Sequence, residues 1–159
     1  MRHLHEIKDI RFLNKLLGKR TLFIEAPTIT RGKIIPFIKK HKVKRLFCLS
    51  PIDPNESKFP DKIEDDFEKA SLDLYSYLHT ELRIEIVPHV HIHDDCSYEE
   101  AKEKVVNTLE LFKKIGIESK EIYFGWGLRT PMFQQICKEL NLKISKKMYH
   151  YYDFWIEDN

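Results

Sequence analysis

The stretch Ile84-Glu85-Ile86-Val87-Pro88-His89-Val90-His91-Ile92-His93-Asp94-Asp95-Cys96-Ser97-Tyr98-Glu99-Glu100 decides the fold of this chain. It opens on a short apolar run, Ile84-Glu85-Ile86-Val87, of the length and composition of a buried strand. It closes on a capping box. The Ser97 hydroxyl can accept from the Glu100 amide while the Glu100 carboxylate reaches back to Ser97. The helix that follows carries Ala101, Val105, Leu109 and Phe112 at helical spacing, and Gly116 supplies its left-handed stop. A strand followed by a capped helix is one βα unit, and the polar residues lie in the link between them.

The same unit repeats outward in both directions. Leu22-Phe23-Ile24, Leu46-Phe47-Cys48-Leu49 and Ile122-Tyr123-Phe124 are further strand candidates. Phe67, Ser71, Leu74, Tyr75 and Leu78 line one helix face. Thr130 followed by Pro131 caps and opens another helix, with Met132, Ile136 and Leu140 on one side. Pro36 is placed in the first turn of a helix ending before Lys42, because deeper inside it would break that helix. Ser50-Pro51-Ile52-Asp53-Pro54-Asn55-Glu56-Ser57-Lys58-Phe59-Pro60 holds three prolines and reads as a surface loop. Tyr149, Tyr151, Tyr152, Phe154 and Trp155 read as a final half-buried strand. Regular alternation of strand and helix implies parallel strands with right-handed crossovers, an α/β fold occupying residues 1–159 as a single domain. Ligands in such folds collect at the carboxyl ends of the strands. Glu25, Ser50, residues 89–95 and residues 125–127 all follow candidate strands, so they should share one rim.

Composition narrows the function classes. Hydrophobic residues are 42% and charged residues 33% of the chain, enough to bury a core and unlike a disordered sequence. With 27 basic and 25 acidic residues the formal charge is +2, far from the excess that phosphate backbones or anionic lipid select, so no nucleic acid is expected as partner. No apolar run approaches the roughly 20 residues of a membrane span, and the start lacks the apolar core of a secretory signal, so the expectation is a soluble cytoplasmic protein with no membrane partner. Cys48, Cys96 and Cys137 are an odd set without a Cys-x-x-Cys pair, which argues against a disulfide framework; Cys48 reads as a small core residue. The run from Lys39 to Arg45 reads as a solvated helix end.

The chemistry concentrates at the histidines. In an extended chain His89, His91 and His93 share one face and Val90 and Ile92 the other. Residues two apart lie about 6.6 Å apart along a strand, whereas four apart they span roughly 13 Å, so His89 and His93 can meet on one ion only if the strand ends near His91. Imidazole with carboxylate suits zinc or a similar divalent metal, and Glu25, Asp94 and Asp95 are the carboxylates at hand. Trp126, between Gly125 and Gly127, can offer its indole face to a sugar ring or other flat apolar surface. Against these stand plainer readings: a hydrogen-bonded histidine cluster, a solvated Glu25 and a core tryptophan.

The order of these residues resembles the polysaccharide deacetylase family, the NodB-homology domain or carbohydrate esterase family four. Phe23-Ile24-Glu25-Ala26-Pro27 sits where that family has Phe-Asp-Asp-Gly-Pro, His89-Val90-His91-Ile92-His93 matches its His-x-x-x-His, and Phe124-Gly125-Trp126-Gly127-Leu128-Arg129-Thr130-Pro131 resembles its third motif. The likeness spans roughly residues 20–142. It implies a shortened, open (β/α) barrel, with Glu25, His89 and His93 holding a divalent metal whose bound water attacks the acyl carbonyl of an amide or ester, as on an acetylated sugar-like small molecule. Besides Glu25 in place of the family's aspartate ligand, two functional positions depart from the pattern. Ile24 stands where the family's general base is, and Gly125 where its arginine is. A hydrolase would then need His91, Asp94 or Asp95 as substitute base. The alternative keeps the barrel as a catalytically degenerate binding module. A third reading, a metallohydrolase of the PHP or amidohydrolase type, rests on His91-Ile92-His93 and ranks lower, because that pattern usually lies near the chain start. A short barrel could also be completed by a second copy as a homo-oligomer.

Overall fold

The computed structural model describes residues 21–24, 35–36, 38–40, 43–52, 67–93, 95–125 and 128–145. Five strands form its frame: β1 (Thr21–Ile24), β2 (Arg45–Leu49), β3 (Glu85–Val90), β4 (Glu121–Phe124) and β5 (Lys143–Ile144). Each pairs in parallel with the next in sequence, so the sheet order is β1-β2-β3-β4-β5. A sheet wound in one direction has no switch point, and that separates it from the doubly wound α/β class; it is the strand order of a (β/α) barrel, here an arc of five strands. Among the described residues the helices α1 (Phe67–Thr80), α2 (Tyr98–Lys114) and α3 (Pro131–Glu139) cross between strands. Pro36 is helical, in the segment before Val43.

The helix boundaries follow local chemistry. Ser97 caps α2 in a complete capping box, its Oγ accepting from the Glu100 amide at 3.2 Å while the Ser97 amide donates to Glu100 Oε2 at 3.1 Å. Gly116, at φ 79°, takes the left-handed turn after α2. Thr130 caps α3 by accepting from the Phe133 amide, with Pro131 in the first turn. Asn141, at φ 55°, turns the chain out of α3, and the Leu142 amide returns to the Cys137 carbonyl at 2.8 Å. That tight exit delivers β5 beside β4, a strand too short for periodicity to reveal. Residues 149–155, expected as the last strand, and residues 53–60 of the proline-rich loop lie outside the described residues.

β3 runs three residues past the expected Val87, through Pro88, in a strand with neighbours on both sides. Proline normally avoids such a place because it cannot donate to the ladder. The Ser50 amide donates to the His89 carbonyl, so the His89 backbone faces β2 and the missing Pro88 N–H falls on the β4 side. There the ladder consists of two residue pairs, His89 with Tyr123 and Val90 with Phe124.

The two faces of the sheet are packed differently. Leu46, Cys48 and Ile86 meet Leu74, Tyr75 and Leu78 of α1, while Val90, Ile122 and Phe124 meet Ala101 and Val105 of α2 and Phe133, Ile136 and Cys137 of α3. Phe124 and Phe133 stack with ring centroids 4.3 Å apart. On α2, Leu109 packs half-buried against this core and Thr108 is buried beside it, its hydroxyl pairing with Ser50 Oγ at 2.8 Å; on α3, Phe133 and Cys137 join Ile136 inside, with Met132 and Leu140 half-buried at its margin. Burial pushes the Cys48 thiol well above its usual range and that of Cys137 up to about 11, as expected of core thiols. On the concave face Phe47, Val87 and Tyr123 form a smaller apolar cluster. Among the described residues no helix is long and apolar enough to cross a membrane.

Candidate functional site

Strand alternation decides which side chains reach the concave face. Along β3, Ile86 and Val90 turn to the helices, so Val87 and His89 turn inward; across the ladder His89 is paired with Tyr123. His89 is 2% exposed, and its ring meets Tyr123 edge-on with centroids 5.1 Å apart. β3 ends at Val90, yet the alternation persists for two more residues: Ile92 is buried in the helix-side core, while the half-buried His91 ring lies 4.7 Å from that of His89 at 72°.

Gly125 completes this cluster. It follows β4 on the concave side, and a Cβ built on it would fall 2.4 Å from His91 Cδ2 and 3.1 Å from His91 Nε2. Atoms do not approach so closely. The ring of His91 occupies the space into which any side chain at position 125 would have to start. The contact links residues 34 positions apart through the register of β3 and β4, so nothing in the local sequence announces it.

Of the residues singled out from sequence, the structure therefore brings His89 and His91 together. His93 and Asp95 are exposed beyond them, and the His93 carbonyl accepts from the Cys96 amide. Glu25, Asp94 and Trp126 lie outside the described residues. Cys96, the nearest thiol, is pushed up by burial and by the Glu100 carboxylate, which disfavours the thiolate. Among the described residues no three His, Cys, Asp or Glu side chains form a metal-holding group. β3 ends at Val90, with His89 buried and His93 exposed.

The opposite, amino end of the sheet was missed by sequence reasoning. Arg45 was grouped with a solvated lysine run, but it opens β2 with a side chain only 14% exposed. Its guanidinium lies over the Phe47 ring, reaches past β3 to Glu121 Oε2 at 2.6 Å, and has Glu85 at 3.6 Å. Ser145 Oγ donates to the same Glu121 oxygen. Burial alone would raise the Glu121 carboxyl, but Ser145, Arg45 and Lys143 together hold it below its ordinary value.

A parallel arc wound in sequence order, with imidazoles on the concave face at its carboxyl end, has the fold of the polysaccharide deacetylases of carbohydrate esterase family four, as the motif order implied. Similar solved structures include those of a family-four pseudoenzyme from Bacillus anthracis and of its mutants. The wild-type pseudoenzyme superposes at a TM-score of 0.57 with 14% identity, and a mutant described as having restored enzymatic activity gives the same values. Each comparison covers 78% of this chain; the chain spans 40–42% of the length of those structures. No family model and no curated protein matches the sequence.

Proposed function

We propose that this chain is a catalytically degenerate deacetylase-like module, which binds a small acylated or sugar-like ligand at the carboxyl rim of its sheet without the family's hydrolysis. The observation that carries the reading is the His91 ring lying on Gly125, in the place where the resemblance puts an arginine. An imidazole there cannot offer the bidentate, permanently charged fork of a guanidinium. Ile24, at the end of β1, stands at the base position and takes no proton. The similar structures, being of a pseudoenzyme, support the same reading. What remains at the rim is the half-buried His91 ring, lying beside the buried rings of His89 and Tyr123, a setting suited to hold a ligand rather than to activate water. The test is release of acetate from N-acetylated and O-acetylated oligosaccharides, with phosphoesters in parallel, each with added Zn²⁺ or Co²⁺. Release no faster than in a His89→Ala control supports the reading; release that depends on His89 overturns it.

Metal-dependent hydrolysis is the second reading, supported by the imidazoles of His89 and His91 gathered at the carboxyl end of β3; the resemblance would have His89 and His93 share the ion with Glu25. A bound ion would polarise an acyl oxygen and acidify water; His91 or Asp95, or Asp94 beyond the described residues, would then have to accept the proton. Elemental analysis after dialysis, on wild type, His89→Ala and His93→Ala, checks the site itself. A stoichiometric ion lost in both variants supports it, and no ion in any sample after metal is added removes it.

A further inference from the structure

We infer that His91 is a positioning residue: its ring, seated on Gly125, fixes the direction in which the buried His89 presents its imidazole to the rim. His89 is confined from two sides. Tyr123 stands beside it across the β3–β4 ladder, and His91 covers it from above along its own strand, both edge-on with centroids within 5.1 Å. Neither neighbour can retreat cheaply, since Tyr123 is packed with Phe47 and Val87 and the His91 ring lies against the Gly125 backbone. Gly125 is thus required by its lack of a Cβ. Any side chain there must displace the His91 ring, and a displaced His91 ring uncovers His89. The inference uses from the proposed function only that a rim ligand meets His89, and it holds for either reading of the rim.

The coupling is read without any ligand, from the imidazole resonances of isotope-labelled protein and the nuclear Overhauser contact between His89 and Tyr123. Gly125→Ala should shift the His91 and His89 imidazole signals and weaken the contact to Tyr123. The same change made on His91→Ala should add no further shift to His89, because the atoms it would strike are gone. His91→Phe, which keeps a ring in place, should preserve the His89–Tyr123 contact that His91→Ala loses. His89 signals unmoved by Gly125→Ala, or moved equally with and without the His91 ring, would overturn the inference. Should His91→Ala fail to fold, His91→Phe and Gly125→Ala decide it: a lost contact in the first or unmoved His89 signals in the second overturns it. Failure here would leave ligand binding intact, and absence of ligand binding would leave these shifts unchanged, so the two ideas fail separately.

Discussion

The two ends of the sheet are built from opposite materials. At the amino end Arg45, Glu121 and Ser145 tie β2, β4 and the segment after β5 with charge-assisted hydrogen bonds, and Glu85 of β3 adds an ion pair to Arg45 at 3.6 Å. At the carboxyl end the same concave face carries aromatic and imidazole rings around a residue with no side chain at all. The first arrangement gains from opposite charges brought together across three strands. The second is held by ring contacts and by the absence of a side chain at Gly125. The contrast matches the division of labour in (β/α) barrels, where the amino face holds the fold and the carboxyl face holds the chemistry.

That contrast can be broken by substitution. Glu121→Ala should have the largest effect, about 2–3 kcal/mol of stability by denaturant unfolding, because it leaves a mostly buried guanidinium and a serine hydroxyl without their shared acceptor. Gly125→Ala at the other end should cost about 1–3 kcal/mol, the range for forcing an extra methyl into packed space. His91→Ala should cost about 1 kcal/mol or less, the worth of an edge-on ring pair, while changing the rim most. A thermal scan in which His91→Ala is more damaging than Glu121→Ala would invert the contrast.

The smallest effect concerns a third place, the exposed link between α2 and α3. Glu139 accepts from Lys102 at 2.8 Å, from the Tyr98 hydroxyl and from Gln135, and these bonds, Lys102 first, hold its carboxyl at about 2. A carboxyl lowered on folding contributes stability above its unfolded value that is lost as pH falls through the folded one, here from about 4.3 down to about 2. Glu121, also lowered, acts with the same sign. Glu139→Gln should therefore flatten the acid limb of the stability profile below pH 4 by slightly lowering stability at neutral pH while leaving the acid value unchanged; an unaltered acid limb would show that the link carries no stability.

Much of this frame was legible because it is local. Ser97 and Glu100 are three residues apart, Thr130 and Pro131 adjacent, and the strand cores are continuous apolar runs. The alternation of His89 and His91 with Val90 and Ile92 could likewise be read from period two. What escaped depends on register. Arg45 meets Glu121 across 76 positions, and His91 meets Gly125 only because β3 and β4 pair through His89 and Tyr123. β5 escaped for a different reason: two residues hold no period, and an Asn141 turn rather than a hydrophobic pattern delivers them. Thr108 escaped as an additional buried position on α2 because its partner, the Ser50 hydroxyl, is 58 positions away.

The most direct measurement of the central claim follows amide and imidazole resonances and free acetate together while an N-acetylated oligosaccharide is titrated into Zn²⁺-supplemented protein. The account predicts shifts confined to residues 89–91 and 123–125, with acetate staying at the level of the buffer. Acetate accumulating in proportion to enzyme, and abolished by His89→Ala, would contradict it.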